Sequence, residues 1–173
     1  MDSLINEFCQ TVRERSIEHQ KAVSILLENG IIGVAITVLR QEIDSLIRVS
    51  YLCSLQDSVK LTRILRDFRS GKKWPVTDRV MVDQEVGWVK LVYDLSCNLI
   101  HLTSFHNYNR NDPFLSLDTK TKTEIVNSLK KVHQYPYETI SKEQFTPYIS
   151  KVLEKIVSNT ECYLKKIEKN ASK

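Results

Sequence analysis

The chain has 173 residues, of which 42% are hydrophobic, and its 25 basic and 21 acidic residues give a net charge of +4. This length allows one well-buried core, so we expect a single globular domain over residues 1–173. No apolar run reaches the roughly 18 residues needed to cross a bilayer, and the first residues lack the pattern of a signal peptide, which predicts a cytoplasmic protein without a membrane segment.

Glycine and proline are scarce, with four of each, and the apolar residues recur at helical spacing. The pattern predicts an all-α fold, a single bundle of five or six helices packed around the second and fourth. Asn29-Gly30 ends the first helix, and Ser141, with Gln144 three residues later, caps the last one. The predicted helices cover residues 4–29, 31–55, 58–69, 85–106, 119–133 and 141–169.

The second helix carries a polar stripe on an otherwise apolar surface. Arg40, Asp44 and Arg48 lie four residues apart, so they share one face of the helix. Charged groups on a buried helix need partners. Two interpretations stay open: an ion chain along an exposed edge, or a groove in which Arg40 and Arg48 bind phosphate.

The third helix and the residues after it are strongly basic. Residues 60–79 hold seven basic groups against two acidic ones, with Arg63, Arg66 and Arg69 spaced three apart on the outer face. Such a cluster is typical of a surface that binds a nucleic-acid backbone or another polyanion. The alternative is a solvated surface, because few aromatic residues lie between the charges in the sequence.

The fourth helix, residues 85–106, is the most apolar long segment and carries a second polar stripe. It is followed by a predicted polar loop over residues 107–118, and long loops beside a histidine often form sites. We predict no metal, because Cys97, His101 and His106 lack a fourth ligand nearby, and no cofactor, because phosphate-binding glycine motifs are absent. The stripe consists of Lys90, Asp94, Cys97, His101 and Ser104.

Two further expectations concern exposure. The four cysteines are far apart and lack CxxC pairing, so we expect buried free thiols rather than disulfides. The polar residues of the first helix are expected to be solvated. The cysteines are Cys9, Cys53, Cys97 and Cys162, and the polar residues are Arg13, Glu14, Arg15, Glu18 and Lys21.

Two segments of the chain resemble a known family. The charged helix RQEIDSLIRVSYL and the later NLIHLTSFH, within residues 31–133, are similar to the HEPN superfamily of helical-bundle proteins. Members often form dimers, and many act as metal-independent ribonucleases in bacterial toxin–antitoxin or defence systems. The resemblance implies a homodimer that binds RNA or a protein partner.

The resemblance also implies roles for individual residues. His101 and His106 would be the acid and base of RNA cleavage, Asn98 and Ser104 would orient the phosphate, and Arg40 and Arg48 would bind it. Active members have an arginine before the histidine, separated from it by four to six residues. Neither histidine here has that arginine. We therefore predict a non-catalytic interaction module first and a metal-independent ribonuclease as the alternative.

Overall fold

The computed structural model describes residues 2–77, 81, 88–100 and 112–171. Within these ranges the chain is helical and forms no strand, which confirms the predicted all-α class. Short 3₁₀ turns cover Pro113–Ser116 and Thr146–Tyr148. The helices are α1 (Asp2–Glu28), α2 (Ile32–Ser54), α3 (Ser58–Arg69), α4 (Trp88–Ile100), α5 (Thr119–His133), the one-turn α6 (Lys142–Phe145) and α7 (Ile149–Ala171).

Local sequence explains where several helices begin and end. The chain leaves α1 through Gly30, whose φ of +69° is readily adopted only by glycine. Asp57 and Asp118 cap α3 and α5, because their carboxylates accept hydrogen bonds from N–H groups of the first turn. The predicted helices over 4–29, 31–55, 58–69 and 119–133 agree with these bounds to within a few residues.

The predicted last helix is wrong in one respect, because it is not continuous. Ser141 caps it as expected, with its hydroxyl accepting a hydrogen bond from the N–H of Gln144 at 3.2 Å. The helix then stops at Phe145, passes through a 3₁₀ turn and resumes at Ile149. Pro147 is the physical reason, since proline has no N–H to donate and fits the first turn of a new helical segment.

The core is built around α2, which packs against α1, α4 and α7. One cluster of buried apolar side chains joins α2 to α4, α5 and α7. A second joins α2 to α1, α3 and the end of α7. Among the described helices, α2 contributes the most buried apolar side chains, each worth about 1.5–3 kcal/mol when it is large and aliphatic. No described helix is both long and apolar enough to cross a membrane.

The segment before α5 belongs partly to the core, which corrects the predicted polar loop over 107–118. Phe114 is 1% exposed, and its ring centroid lies 5.2 Å from that of Phe145. Asp112 holds the segment in place, because its carboxylate accepts hydrogen bonds from the N–H groups of Phe114 and Lys142, both at 2.9 Å. The described part of this loop therefore packs against α6 and contributes Phe114 to the core.

The cysteines are free, but the expectation that all four are buried is wrong. Cys9 is buried, Cys53 and Cys97 are half-buried, and Cys162 is exposed on the solvent side of α7. Burial, followed by the nearby Glu168 carboxylate, raises the pKa of the Cys9 thiol to about 12. The Cys9 thiol is therefore protonated at neutral pH and acts as an apolar core group.

Arg13 is only partly solvated, with its side chain 35% exposed, because it also joins α1 to α7. Its Nε lies 2.8 Å from Glu161 Oε2, and its Nη1 lies 2.7 Å from Glu168 Oε1. Nη2 lies 3.0 Å from a second oxygen of each carboxylate. One guanidinium therefore binds two carboxylates bidentately, a geometry that only arginine provides.

Stability should depend on this contact below neutral pH. The hydrogen bond from Arg13 lowers the pKa of Glu168 below its ordinary value of 4.5. A carboxyl with a lowered folded-state pKa stabilises the fold above its unfolded pKa, and that contribution is lost as pH falls through the folded value. Between about pH 5 and pH 3, we expect the free energy of unfolding to fall more steeply in the natural chain than in Glu168→Gln.

Urea unfolding at several pH values measures this difference. Glu154→Gln, which removes an exposed carboxyl from the same helix, is the matched control and should keep the pH dependence of the natural chain. If Glu168→Gln has the same pH dependence as the natural chain, the ion pair with Arg13 does not contribute to stability.

Candidate nucleic-acid interface

The predicted site residues are divided between described and undescribed parts of the chain. His101, Ser104 and His106 lie outside the described residues. Asn98 lies on α4, but its side chain is also outside the described part. The five predicted arginines are all described, on α2 and α3. In the described ranges, no three His, Cys, Asp or Glu side chains are grouped as metal ligands would be.

Arg40 and Arg48 both point toward Asp44, which lies between them on α2. Arg48 binds the carboxylate bidentately, with its Nε 2.8 Å from Oδ2 and its Nη2 3.2 Å from Oδ1. Arg40 Nη1 lies 3.9 Å from Oδ1. The side chains of the three residues are 12–20% exposed. The ion chain is therefore present, but on a largely covered face instead of the exposed edge that one interpretation required.

Aromatic rings cover both guanidinium groups. Arg40 Cζ lies 3.8 Å from the ring centroid of Tyr93 on α4, and Arg48 Cζ lies 4.9 Å from the ring of Trp74. These are cation–π distances. Arg40 therefore extends from the polar stripe of α2 to α4, the helix that carries the second polar stripe.

A groove opens to solvent between α1, α2 and α3, and we call it the α1–α3 groove. Its cavity volume is about 300 Å³, at the lower end of the size range of small-molecule sites. Both polar and aromatic side chains form its walls. The lining residues are Phe8, Thr11, Val12, Arg15, Asp44, Ser45, Arg48, Phe68 and Trp74.

Three aromatic rings from separate segments meet in this groove. The rings of Phe8 and Phe68 pack edge to face with centroids 5.1 Å apart, and Trp74 lies 6.4 Å from Phe8. Phe8 is buried, whereas Phe68 and Trp74 are half-buried. The sequence around the basic residues shows few aromatics, but folding places these three beside Arg48. Aromatic rings beside arginines are the usual components of a single-stranded nucleic-acid site.

The basic residues of α3, the helix that lines the groove with Phe68, lie on the outside of the bundle. Arg63, Arg66 and Arg69 are exposed, as are the two lysines that follow α3. Arg69 Nε is 3.5 Å from Glu7 Oε1 on α1, at a surface position where such a pair is weak. Residues 58–77 contain six basic residues and one acidic residue. The segment that contributes Phe68 and Trp74 to the groove therefore also carries a strongly positive exposed surface.

A buried polar cluster between α1 and α2 was not predicted from the sequence. Glu42 is fully buried, and one carboxylate oxygen accepts a short hydrogen bond from the Ser16 hydroxyl. The other oxygen lies 2.6 Å from Nδ1 of His19, which is 7% exposed. Glu42 and His19 are 23 residues apart in the sequence, so they meet only because α1 and α2 pack together.

Helical spacing contains a signal that identifies this cluster. The buried positions of α2 recur every three or four residues through Leu39, Glu42 and Leu46, so Glu42 occupies an inward position. Ser16 and His19 continue the inward positions of α1 in the same way. Polar residues at inward positions of adjacent helices are expected to pair, because an unpaired buried polar group is costly.

The cluster has the geometry of a structural support rather than of a catalytic centre. Ser16 and His19 each hydrogen-bond a different oxygen of Glu42, whereas a catalytic triad would have the histidine hydrogen-bonded to the hydroxyl that it activates. The cluster does extend toward the α1–α3 groove. Arg15 Nε is 3.5 Å from His19 Nε2, and Arg15 Nη2 donates a 3.3 Å hydrogen bond to the carbonyl of Gln41. These contacts position the Arg15 guanidinium in the groove wall.

Comparisons with known proteins do not assign the chain to a family. The similarity of residues 31–133 to the HEPN superfamily stays a prediction, because none of three comparisons tests it. No protein-family model matches the chain, no curated protein matches its sequence, and no solved structure matches its fold.

Proposed function

We propose that this chain is a non-catalytic helical module that binds RNA through α3, the residues that follow it and the α1–α3 groove. One observation carries the proposal. Residues 58–77 contain six basic residues and one acidic residue, whereas the rest of the chain contains 19 basic and 20 acidic residues. Positive charge is therefore strongly concentrated in this segment.

This concentration of charge suits a phosphate backbone. A protein that neutralises phosphates with Lys and Arg releases condensed counterions, which provides most of the affinity at low salt. Arg63 and Arg66 are exposed on the outer face of α3, and Lys73 follows on the same exposed segment. Three such side chains, with Arg69 and Lys72 nearby, are sufficient for several phosphate contacts.

Fluorescence anisotropy with a labelled single-stranded RNA tests the proposal, in EDTA and at salt concentrations of about 50–200 mM. Arg63→Glu with Arg66→Glu should weaken binding by about tenfold or more and lower the salt slope by about two, one for each lost phosphate contact. The matched control is Lys165→Glu with Lys166→Glu, two exposed lysines of α7 whose replacement changes the net charge equally. It should bind almost as the natural chain does.

Two results count against the proposal. Equal weakening in both double variants means that net charge alone governs binding and that α3 is not the interface. Absence of binding at low salt removes the RNA function, and affinity capture of a protein partner is then the next experiment.

One contact favours a second function, metal-independent cleavage of RNA. Arg40 lies 3.8 Å from the ring centroid of Tyr93 on α4, and His101 follows Tyr93 by eight residues in the sequence, so α2 brings an arginine to the helix that precedes His101. His101 and His106 themselves lie outside the described residues. In the same EDTA assay, cleavage that disappears in His101→Ala or His106→Ala supports this function, and binding without cleavage supports the non-catalytic module.

The homodimer and the role in bacterial defence come only from the HEPN resemblance. Both are therefore part of the proposal. Light scattering of the purified chain tests the homodimer directly, and a monomer at micromolar concentration counts against dimer formation.

A further inference from the structure

We infer that the α1–α3 groove accepts an unpaired base of single-stranded RNA against the indole of Trp74, which makes the module selective for single strands over duplexes. This inference rests on the proposed function. It assigns separate roles to two parts of the proposed surface: the charge of α3 supplies affinity for RNA, and the aromatic groove supplies selectivity for single strands.

Trp74 lies where a base that enters the groove would meet it. Its ring lies in the groove wall, 6.4 Å from Phe8, and the guanidinium of Arg48 lies 4.9 Å from its centroid. Trp74 is half-buried, so part of the indole faces the open groove that it lines. Arg48 covers one face of the indole, so the base would stack on the part of the ring that stays exposed, with little loss of side-chain entropy because Trp74 is already held in place.

The walls of the groove carry a small net positive charge. Arg15 and Arg48 face one carboxylate, Asp44, so the groove walls have a net charge of +1. Both guanidiniums are already ordered, Arg15 by the Gln41 carbonyl and Arg48 by Asp44. Preorganised groups of this kind lose less freedom when they contact a phosphate. The groove therefore has positive charge for one nucleotide, beside the larger positive surface of α3.

The groove should distinguish single-stranded RNA from a duplex. A groove with a cavity volume of about 300 Å³ has space for one base, and Trp74 lies in its wall. Bases in an A-form duplex are stacked on each other and cannot reach such a surface, whereas bases of a single strand can be turned outward. Charge alone attracts both forms, but only the single strand gains the stacking contact.

The experiment uses Trp88→Phe as the starting chain, because the protein has two tryptophans and this change leaves Trp74 as the fluorophore. The probes are an oligouridylate of about eight nucleotides, an abasic oligomer of the same length and charge, and a duplex of that length. We expect the oligouridylate to quench Trp74 emission and to bind about tenfold more tightly than the abasic oligomer. The duplex should bind without quenching.

Two substitutions separate stacking from packing. Trp74→Leu keeps apolar bulk in the groove but removes the aromatic face, so the oligouridylate and the abasic oligomer should bind it equally. Trp74→Phe keeps a ring and should retain most of the preference for the oligouridylate. Both comparisons are made by anisotropy, and circular dichroism verifies that each variant is folded.

The outcomes distinguish this inference from the proposed function. Equal binding of the oligouridylate and the abasic oligomer by the starting chain, without quenching, overturns the inference and leaves RNA binding by α3 intact. Absence of binding by all three probes at low salt overturns both.

Discussion

Replacement of Glu42 by alanine is expected to lower the free energy of unfolding by about 3–5 kcal/mol. The carboxylate is fully buried and is the acceptor for Ser16 and for Nδ1 of His19. Without it, two buried polar groups lose their partner, at about 1–3 kcal/mol each, and a small cavity is left between α1 and α2. Urea unfolding followed by circular dichroism measures the change.

Glu18→Ala is the matched control, because it removes an exposed glutamate from the middle of α1. Its effect should be within about 0.5 kcal/mol. A triple variant, Ser16→Ala with His19→Leu and Glu42→Leu, replaces the whole cluster by apolar groups and should recover much of the loss, since it leaves no polar group without a partner. A loss in Glu42→Ala no larger than that in Glu18→Ala would show that the cluster does not join α1 to α2.

Phe114→Ala should be comparably destabilising, by about 3–5 kcal/mol. Phe114 is 1% exposed and packs against Phe145, so truncation leaves a cavity where the chain enters α5. The hydrogen bonds that the Asp112 carboxylate accepts from backbone N–H groups hold the backbone in place, so the site can collapse only partly around that cavity. Thermal and urea unfolding both measure the effect.

The next residue in the chain provides the control. Leu115 lies in the same 3₁₀ turn but is 71% exposed, and Leu115→Ala should change the free energy of unfolding by less than about 0.5 kcal/mol. Equal effects of the two substitutions would contradict the placement of Phe114 in the core. In that case, residues 112–118 would be the surface loop that the sequence pattern predicts.

The helix ends and the positive segment could be predicted from the sequence because they depend on nearby residues. Gly30, Asp57, Asp118 and Ser141 each act on N–H groups or dihedral angles within four residues, so local chemistry is enough. The charge of residues 58–77 is likewise a property of one continuous segment. These features identify a helical bundle with one strongly basic helix.

The partners of the buried polar groups and the walls of the groove were decided by tertiary structure. Glu42 pairs with His19, and Arg13 with Glu161, because particular faces of α1, α2 and α7 are in contact. Trp74 and Phe8 share a groove although 66 residues separate them. Helical spacing shows which residues point inward, but the residue that each one meets depends on how the helices pack, which no single helix determines.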